Sequence, residues 1–209
     1  MQYEPNQTAL LLIDPYNDFL SEGGKLYDGL KEMLAEQDAI AHLRQIVAAA
    51  RAVHMQLIIV PHHRAEPGDY HGWRHTTPMQ DLTHSLQAFG KDTWGGTFHP
   101  DFTPQPGDIV VKEHFGSNGF ANTDLDFHLK QLGLQKLIVI GMLANTCIET
   151  TAKFGTELGY HVTLVKDATA AFKRQEITYS HTLNAPTFTS DIITTAELLD
   201  ALARIPVAS

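Results

Sequence analysis

The chain has 209 residues, 43% hydrophobic and 19% charged, a length and composition that suit one globular domain spanning residues 1–209. Its formal net charge of −9 opposes binding to nucleic-acid phosphates, and no apolar run reaches the roughly 18–20 residues of a membrane span. The single cysteine excludes an internal disulfide and a structural zinc site built from several cysteines.

Apolar runs alternate with segments of helical character along the chain, which is typical of βαβ units and a parallel sheet. Strands are predicted at 8–14, 56–60, 108–112, 136–141, 161–165 and 191–194. Helices are predicted at about 38–54, 122–132, 146–158, 176–183 and 196–203. Residues 61–107 are rich in Pro, Gly, His and Trp and predict a long, loop-rich excursion with short helices.

This pattern predicts an α/β fold. We expect a single Rossmann-like three-layer domain, with a central, mostly parallel sheet of about six strands and helices on both faces. The N-terminus has no basic region followed by an apolar stretch, so we expect a cytoplasmic protein.

Three ionisable residues follow predicted strands at their carboxyl ends, where open parallel sheets bind ligands. They are Asp14, Lys112 and Cys147. Near a helix start and beside an ammonium, a thiol is favoured as thiolate, and a carboxylate can accept its proton and return it to a leaving amine. Taken singly, each has an ordinary explanation as a buried thiol, a turn cap or a solvated lysine. Their joint placement favours a nucleophilic site.

Three segments carry a family resemblance. They are LLIDPYNDF at residues 11–19, IVVK at 109–112 and GMLANTCIE at 141–149. In order and spacing they resemble the signature segments of the isochorismatase-like cysteine hydrolases, and further similar segments extend the resemblance over nearly the whole chain.

The resemblance implies an Asp-Lys-Cys catalytic triad, here Asp14, Lys112 and Cys147. It also implies a cis peptide between Met142 and Leu143, and an oxyanion hole formed by the backbone N–H groups of Leu143 and Cys147. A homodimer or homotetramer is implied as well, in which a neighbouring copy completes the pocket.

Departures from the family pattern lie close to these residues. Members commonly have glutamine at the position of Tyr16 and a small residue at the position of Leu143, so the substrate cannot be transferred. Residues expected to contact substrate, or to line its pocket, are Tyr16, Phe19, Trp73, Trp94, His114, Phe115, Asn118 and Phe120.

A metal site is an open alternative because the chain has 12 histidines. Nicotinamidase-like members carry an Asp-x-His motif after the second strand, whereas this chain reads VPHHR at 60–64. His62, His63, Asp69, His71 and His75 could supply ligands, but solvated or hydrogen-bonded loop histidines are the commoner explanation. We therefore expect no metal and no cofactor.

These observations predict a cysteine-dependent hydrolase that cleaves the C–N bond of a small amide-like molecule through a thioester. One alternative is an isochorismate-type vinyl-ether hydrolase, although that branch does not use the cysteine that this chain retains. A non-catalytic binding module with a vestigial site is the other. We expect a small-molecule substrate, and neither nucleic acid nor membrane as a partner.

Overall fold

The computed structural model describes residues 2–206, which contain a six-stranded sheet in the order β3-β2-β1-β4-β5-β6. All five strand pairings are parallel. The strands are β1 (Thr8–Ile13), β2 (Gln56–Val60), β3 (Ile109–Val110), β4 (Lys136–Met142), β5 (His161–Ala170) and β6 (Asp191–Ile193). Strand order reverses between β1 and β4, so a crevice is expected at the carboxyl ends of these two strands.

Helices cover both faces of the sheet, as predicted. In chain order they are α1 (Asn17–Leu20), α2 (Tyr27–Glu36), α3 (Ala39–Ala52), α4 (Pro78–Leu86), α5 (Leu125–Gln131), α6 (Glu149–Glu157), α7 (Arg174–Thr178) and α8 (Thr195–Leu202). None of these helices combines the length and apolar character needed to cross a bilayer, within residues 2–206.

The alternation of side chains along β1 explains the three layers. Leu10 and Leu12 pack into the hydrophobic cluster that includes residues of α2, α3 and α8. Leu11 and Ile13 point to the opposite face and join the cluster that includes residues of α5 and α6. Because successive side chains of a strand point to opposite faces, a strand buried on both sides needs an uninterrupted apolar run.

A glycine is required where β4 passes β1 at the crevice. Gly141 has φ +119°, and a Cβ placed on it would lie 2.1 Å from the carbonyl oxygen of Ile13. No side chain fits this approach, so glycine allows the two central strands to end side by side. The register between β4 and β5 also shifts at this point.

Several observed elements differ from the predicted ones. Strand β5 continues beyond the predicted end at 165, to Ala170, and the predicted helix at 176–183 is α7 followed by a π-helical turn. Strand β3 has two residues, Ile109 and Val110, because the chain leaves regular sheet pairing before residue 112. The predicted helix at 146–158 begins with a π-helical turn over Ala144–Ile148, and α6 follows it. Helix α2 was not predicted. The 61–107 segment contains α4 and two short 3-10 turns.

Candidate active site

Three ionisable side chains meet at the crevice between β1 and β4. Asp14 directly follows β1, His114 lies beyond β3, and Cys147 lies in the π-helical turn after β4. Their ligating atoms all lie within 4.8 Å of one another, and all three residues are buried. The His114 Nε2 and Asp14 Oδ1 atoms are 3.1 Å apart, and both side chains are fully shielded from solvent.

Asp14 is placed by an unusual backbone conformation. Its φ of +53° lies in the left-handed region, which a non-glycine residue adopts rarely and which is concentrated at functional sites. Its amide donates to the Val60 carbonyl at 3.1 Å, so the residue continues the β1–β2 ladder while its side chain turns into the crevice.

The hydrogen bonds of His114 define its protonation. Nδ1 lies 2.6 Å from the Gly116 carbonyl oxygen, which can only accept, so Nδ1 carries a hydrogen. Nε2 faces the carboxylate oxygen of Asp14, and two bare acceptors at this distance would repel each other. The pair therefore holds one shared proton. Burial lowers the pKa of His114, but the Asp14 carboxylate outweighs this effect and the pKa is raised.

Cys147 rests as a thiol. Burial and then the neighbouring Asp14 carboxylate raise the pKa of Cys147 well above its ordinary value. The expectation that a helix start and an ammonium favour the thiolate is wrong for this environment. Proton removal must accompany attack on a substrate, and the adjacent carboxylate is placed to accept that proton.

The segment preceding the nucleophile carries further groups. The Met142–Leu143 peptide bond is cis. The backbone amide of Leu143 donates a hydrogen bond to the Cys147 sulfur, and this contact lowers the pKa of the thiol. The hydroxyl of Ser180, in the turn after α7, donates to the Ala144 carbonyl at 2.9 Å and so holds this segment in place.

The structure does not bring Lys112, the predicted third member of the triad, into this group. Lys112 is exposed, and its backbone amide donates to Asp124 Oδ1 at 2.7 Å. Within residues 2–206 its ammonium forms no ion pair, whereas His114 pairs with Asp14. The physical reason is the path of the chain after β3. The His114 amide donates to the Pro61 carbonyl at 3.0 Å, and this isolated parallel pairing carries His114 rather than Lys112 to the crevice.

Tyr16 and Phe115 line a cavity near the crevice. Tyr16 is buried and donates to the His62 carbonyl at 2.7 Å. Phe115 stacks on His63 with ring centroids 3.9 Å apart, and Trp73 lies beside Phe115. Tyr16 and Phe115, together with Lys112, line a cavity of about 630 Å³ that includes none of Asp14, His114 and Cys147. Glu113, which directly precedes His114, also lines it, so the cavity lies close to the candidate active site.

Four other predicted contact residues are engaged elsewhere. Phe19 packs against Phe89 in one hydrophobic cluster, and Phe120 is part of the opposite cluster. The Asn118 side-chain oxygen accepts from the Phe120 amide at 2.8 Å and closes a turn. Trp94 is 53% exposed. Within residues 2–206, none of the hydrogen bonds or ring contacts of these four residues involves Asp14, His114 or Cys147.

The histidines considered as metal ligands after β2 form a different arrangement. His63 lies between two carboxylates, with Nε2 2.9 Å from Asp69 Oδ2 and Nδ1 3.2 Å from Glu113 Oε2. His62 is held through Nδ1, 2.8 Å from the His63 carbonyl oxygen. His71 and His75 are exposed. The His63 nitrogens thus face opposite carboxylates and do not converge on one point.

Comparison with known proteins adds to this geometry. An isochorismatase domain model matches residues 8–197 of the chain. The chain belongs to the isochorismatase family. Among the structures similar to this family member, the cysteine hydrolase from Pseudomonas syringae pv. phaseolicola 1448A has a TM-score of 0.83 and 25% identity, over 99% of this chain and 97% of that one.

Two similar members of the isochorismatase family are amidohydrolases. Ureidoacrylate amidohydrolase RutB of Enterobacter sp. (strain 638) is 30% identical over 213 residues, covering 96% of this chain and 91% of the relative. RutB of Klebsiella pneumoniae (strain 342) is 32% identical over 181 residues, covering 81% and 75% respectively. Relatives of this isochorismatase-family chain thus include enzymes that act on C–N bonds.

The position of His114 was the functional feature that sequence reasoning missed. The residue was recognised only as a substrate contact, because a lysine already ended the predicted third strand. Composition and periodicity carried no signal for this, because the difference between Lys112 and His114 lies in their burial in the folded chain. Val111 and His114 are buried and Lys112 is exposed, so the regular strand pattern does not extend through this isochorismatase-family segment.

Proposed function

We propose that this protein is a cysteine-dependent amidase that cleaves the C–N bond of a small amide or ureido compound through a thioester. The observation that carries the proposal is the convergence of Asp14, His114 and Cys147 within 4.8 Å at the crevice of the sheet. Nucleophile, base and cation are thereby supplied by three different chain segments.

Acylation begins with transfer of the Cys147 proton to the Asp14 carboxylate. The thiolate attacks the substrate carbonyl carbon, and the oxyanion accepts hydrogen bonds from the Leu143 and Cys147 amides. The His114 imidazolium provides the positive charge that the family resemblance assigned to a lysine. It stabilises the negative charge that moves between the carboxylate and sulfur.

Collapse of the tetrahedral intermediate returns the proton from Asp14 to the leaving nitrogen. Ammonia or an amine departs, and the acyl group remains on Cys147 as a thioester. Asp14, again a carboxylate, then deprotonates a water that attacks the thioester carbonyl. Breakdown releases the acid and regenerates the thiol, so protons and charges balance over the cycle.

The substrate class follows from the relatives and from the neighbouring cavity. The two ureidoacrylate amidohydrolases compared above share 30% and 32% identity with this chain, which favours a carbonyl flanked by nitrogen. The 630 Å³ cavity with its aromatic walls suits the remainder of a small molecule.

The test is hydrolysis of a panel of small amides, hydrazides and ureas, with release of ammonia or amine as the readout. We expect at least one class to be turned over by the wild-type protein and not by Cys147→Ala. Mass spectrometry of the rapidly quenched enzyme should detect an acyl adduct on the peptide that contains Cys147. Full activity of Cys147→Ala, or turnover of no member of the panel, would contradict the proposal.

A further inference from the structure

The histidine at the candidate active site gives this trio a property that a lysine would not. Carboxylate oxygen, imidazole nitrogen and thiolate sulfur are all metal ligands, whereas a charged ammonium is not. Asp14, His114 and Cys147 bring three such donor atoms to within 4.8 Å of one another. A mixed set of oxygen, nitrogen and sulfur donors suits zinc.

The separation of the His114 and Asp14 donor atoms is close to that in a tetrahedral zinc site. Zinc bonds to nitrogen and oxygen of about 2.0–2.1 Å place neighbouring donors about 3.3 Å apart. The His114 Nε2 and Asp14 Oδ1 atoms are separated by 3.1 Å. Little movement of this pair is needed for both atoms to bind one ion.

Two further observations point to a ligand here. Asp14 is fully buried, and its second carboxylate oxygen, Oδ2, accepts no hydrogen bond from a nitrogen or oxygen donor among the described residues, which leaves the weakly donating Cys147 thiol as its neighbour. A buried carboxylate oxygen without a strong donor is costly, and a metal ion would satisfy it. In addition, the Gly116 carbonyl accepts from His114 Nδ1, an arrangement that orients zinc-bound histidines through their second nitrogen.

The charge balance also favours a divalent ion. Before binding, the carboxylate, the imidazolium and the thiol have a net charge of zero. Zinc binding displaces the thiol proton and the proton shared by His114 and Asp14, and both protons leave to solvent. One dication, one thiolate, one carboxylate and a neutral imidazole again sum to zero, so the buried site acquires no net charge.

We propose that Asp14, His114 and Cys147 form a three-ligand zinc site whose fourth position is open to water or another small ligand. An ion held there occupies the Cys147 sulfur, so zinc binding and thiol attack on a substrate exclude each other. Zinc is thus a reversible inhibitor of the thiol chemistry proposed above.

The test uses metal-free protein and contains no substrate, so its result is independent of the amidase assay. Co²⁺ serves as the spectroscopic probe and Zn²⁺ as the calorimetric one. We expect one Co²⁺ per chain with a thiolate-to-metal charge-transfer band in the near ultraviolet. Zn²⁺ titrations in two buffers of different ionisation enthalpy should report about two protons released per ion.

The variant His114→Lys removes the metal-binding imidazole nitrogen and keeps a positive charge at the same position. Lysine retains a positive charge beside Asp14, but at pH 7.5 its deprotonation costs about a thousandfold in affinity, from an ordinary pKa near 10.4 against 6.5 for histidine. Zn²⁺ affinity should fall at least a hundredfold. His128→Lys, the same substitution at a partly exposed position of α5, is the matched control and should bind like the wild type.

The outcomes separate a built site from adventitious binding by other histidines. Loss of binding in His114→Lys together with loss of the charge-transfer band in Cys147→Ser supports the proposal. Absence of the band in the wild type, its persistence in Cys147→Ser, or unchanged affinity in a folded His114→Lys overturns it. Should His114→Lys fail to fold by circular dichroism, Cys147→Ala takes its place, and an affinity loss below tenfold is then the refuting result.

Discussion

Replacing His114 by glutamine should slow alkylation of Cys147, whereas the same replacement of Lys112 should not. The chain has one cysteine, so iodoacetamide incorporation into the whole protein reports on that residue alone. Glutamine fills similar space and removes the positive charge, which limits changes in access to the sulfur. Lys112→Gln is the matched control because it removes a charge from an exposed residue.

The expected size follows from the geometry. The donor atoms of His114 and Cys147 lie within 4.8 Å, so at an effective dielectric constant of about 20 the imidazolium stabilises the thiolate by about 3.5 kcal/mol. Loss of the imidazolium therefore lowers the fraction of thiolate by about 300-fold. A more basic thiolate is also a better nucleophile, with a Brønsted coefficient of about 0.4–0.5, so the net rate should fall about 20-fold.

The assay is the second-order rate of mass increase at pH 7.5, with thermal melting to verify that each variant is folded. Lys112→Gln should remain within about twofold of the wild type, since surface substitutions away from specific contacts have small effects. The reasoning is refuted if Lys112→Gln reacts as slowly as His114→Gln, or if His114→Gln reacts at the wild-type rate.

Three other predictions concern the base, the strand contact and pH. Asp14→Asn should lower kcat/KM for amide hydrolysis by about 10²–10⁴, and near-normal turnover would exclude Asp14 as the base. Gly141→Ala, which places a Cβ 2.1 Å from a β1 carbonyl, should cost about 3–5 kcal/mol in urea unfolding, whereas Gly116→Ala, with open space at its Cβ, should cost about 1 kcal/mol or less. Burial opposes ionisation of Glu113, but hydrogen bonds from His63 and Arg64 lower its pKa to about 2. Its stabilisation, about 1–2 kcal/mol after allowance for solvent screening, is therefore present above about pH 4.5 and lost as the pH falls towards 2. The unfolding free energies of wild type and Glu113→Gln should differ at pH 7, and the difference should shrink as the pH falls from 4.5 through about 2; a constant difference would contradict this assignment.

The central strands were predictable from the sequence because strands buried on both faces require apolar residues at every position. β1 and β2 were predicted to within one residue, as runs of Leu, Ile and Val that must satisfy apolar surroundings on both faces. The same pattern placed Asp14 at the end of β1 and Cys147 just beyond β4. Both positions depend on where a buried run stops, which is a local property of the chain.

The identity of the cation in the site was decided by tertiary structure. Lys112 and His114 are two residues apart, and composition and periodicity do not indicate which of them reaches the crevice. That choice depends on β3, an edge strand of two residues, and on the pairing of His114 with the segment after β2. At an edge, regular hydrogen bonding ends early and the backbone path is set by contacts with distant segments. Residue type therefore identified the carboxylate and the thiol. Only the folded chain determined that His114 lies beside them, while Lys112 is exposed to solvent.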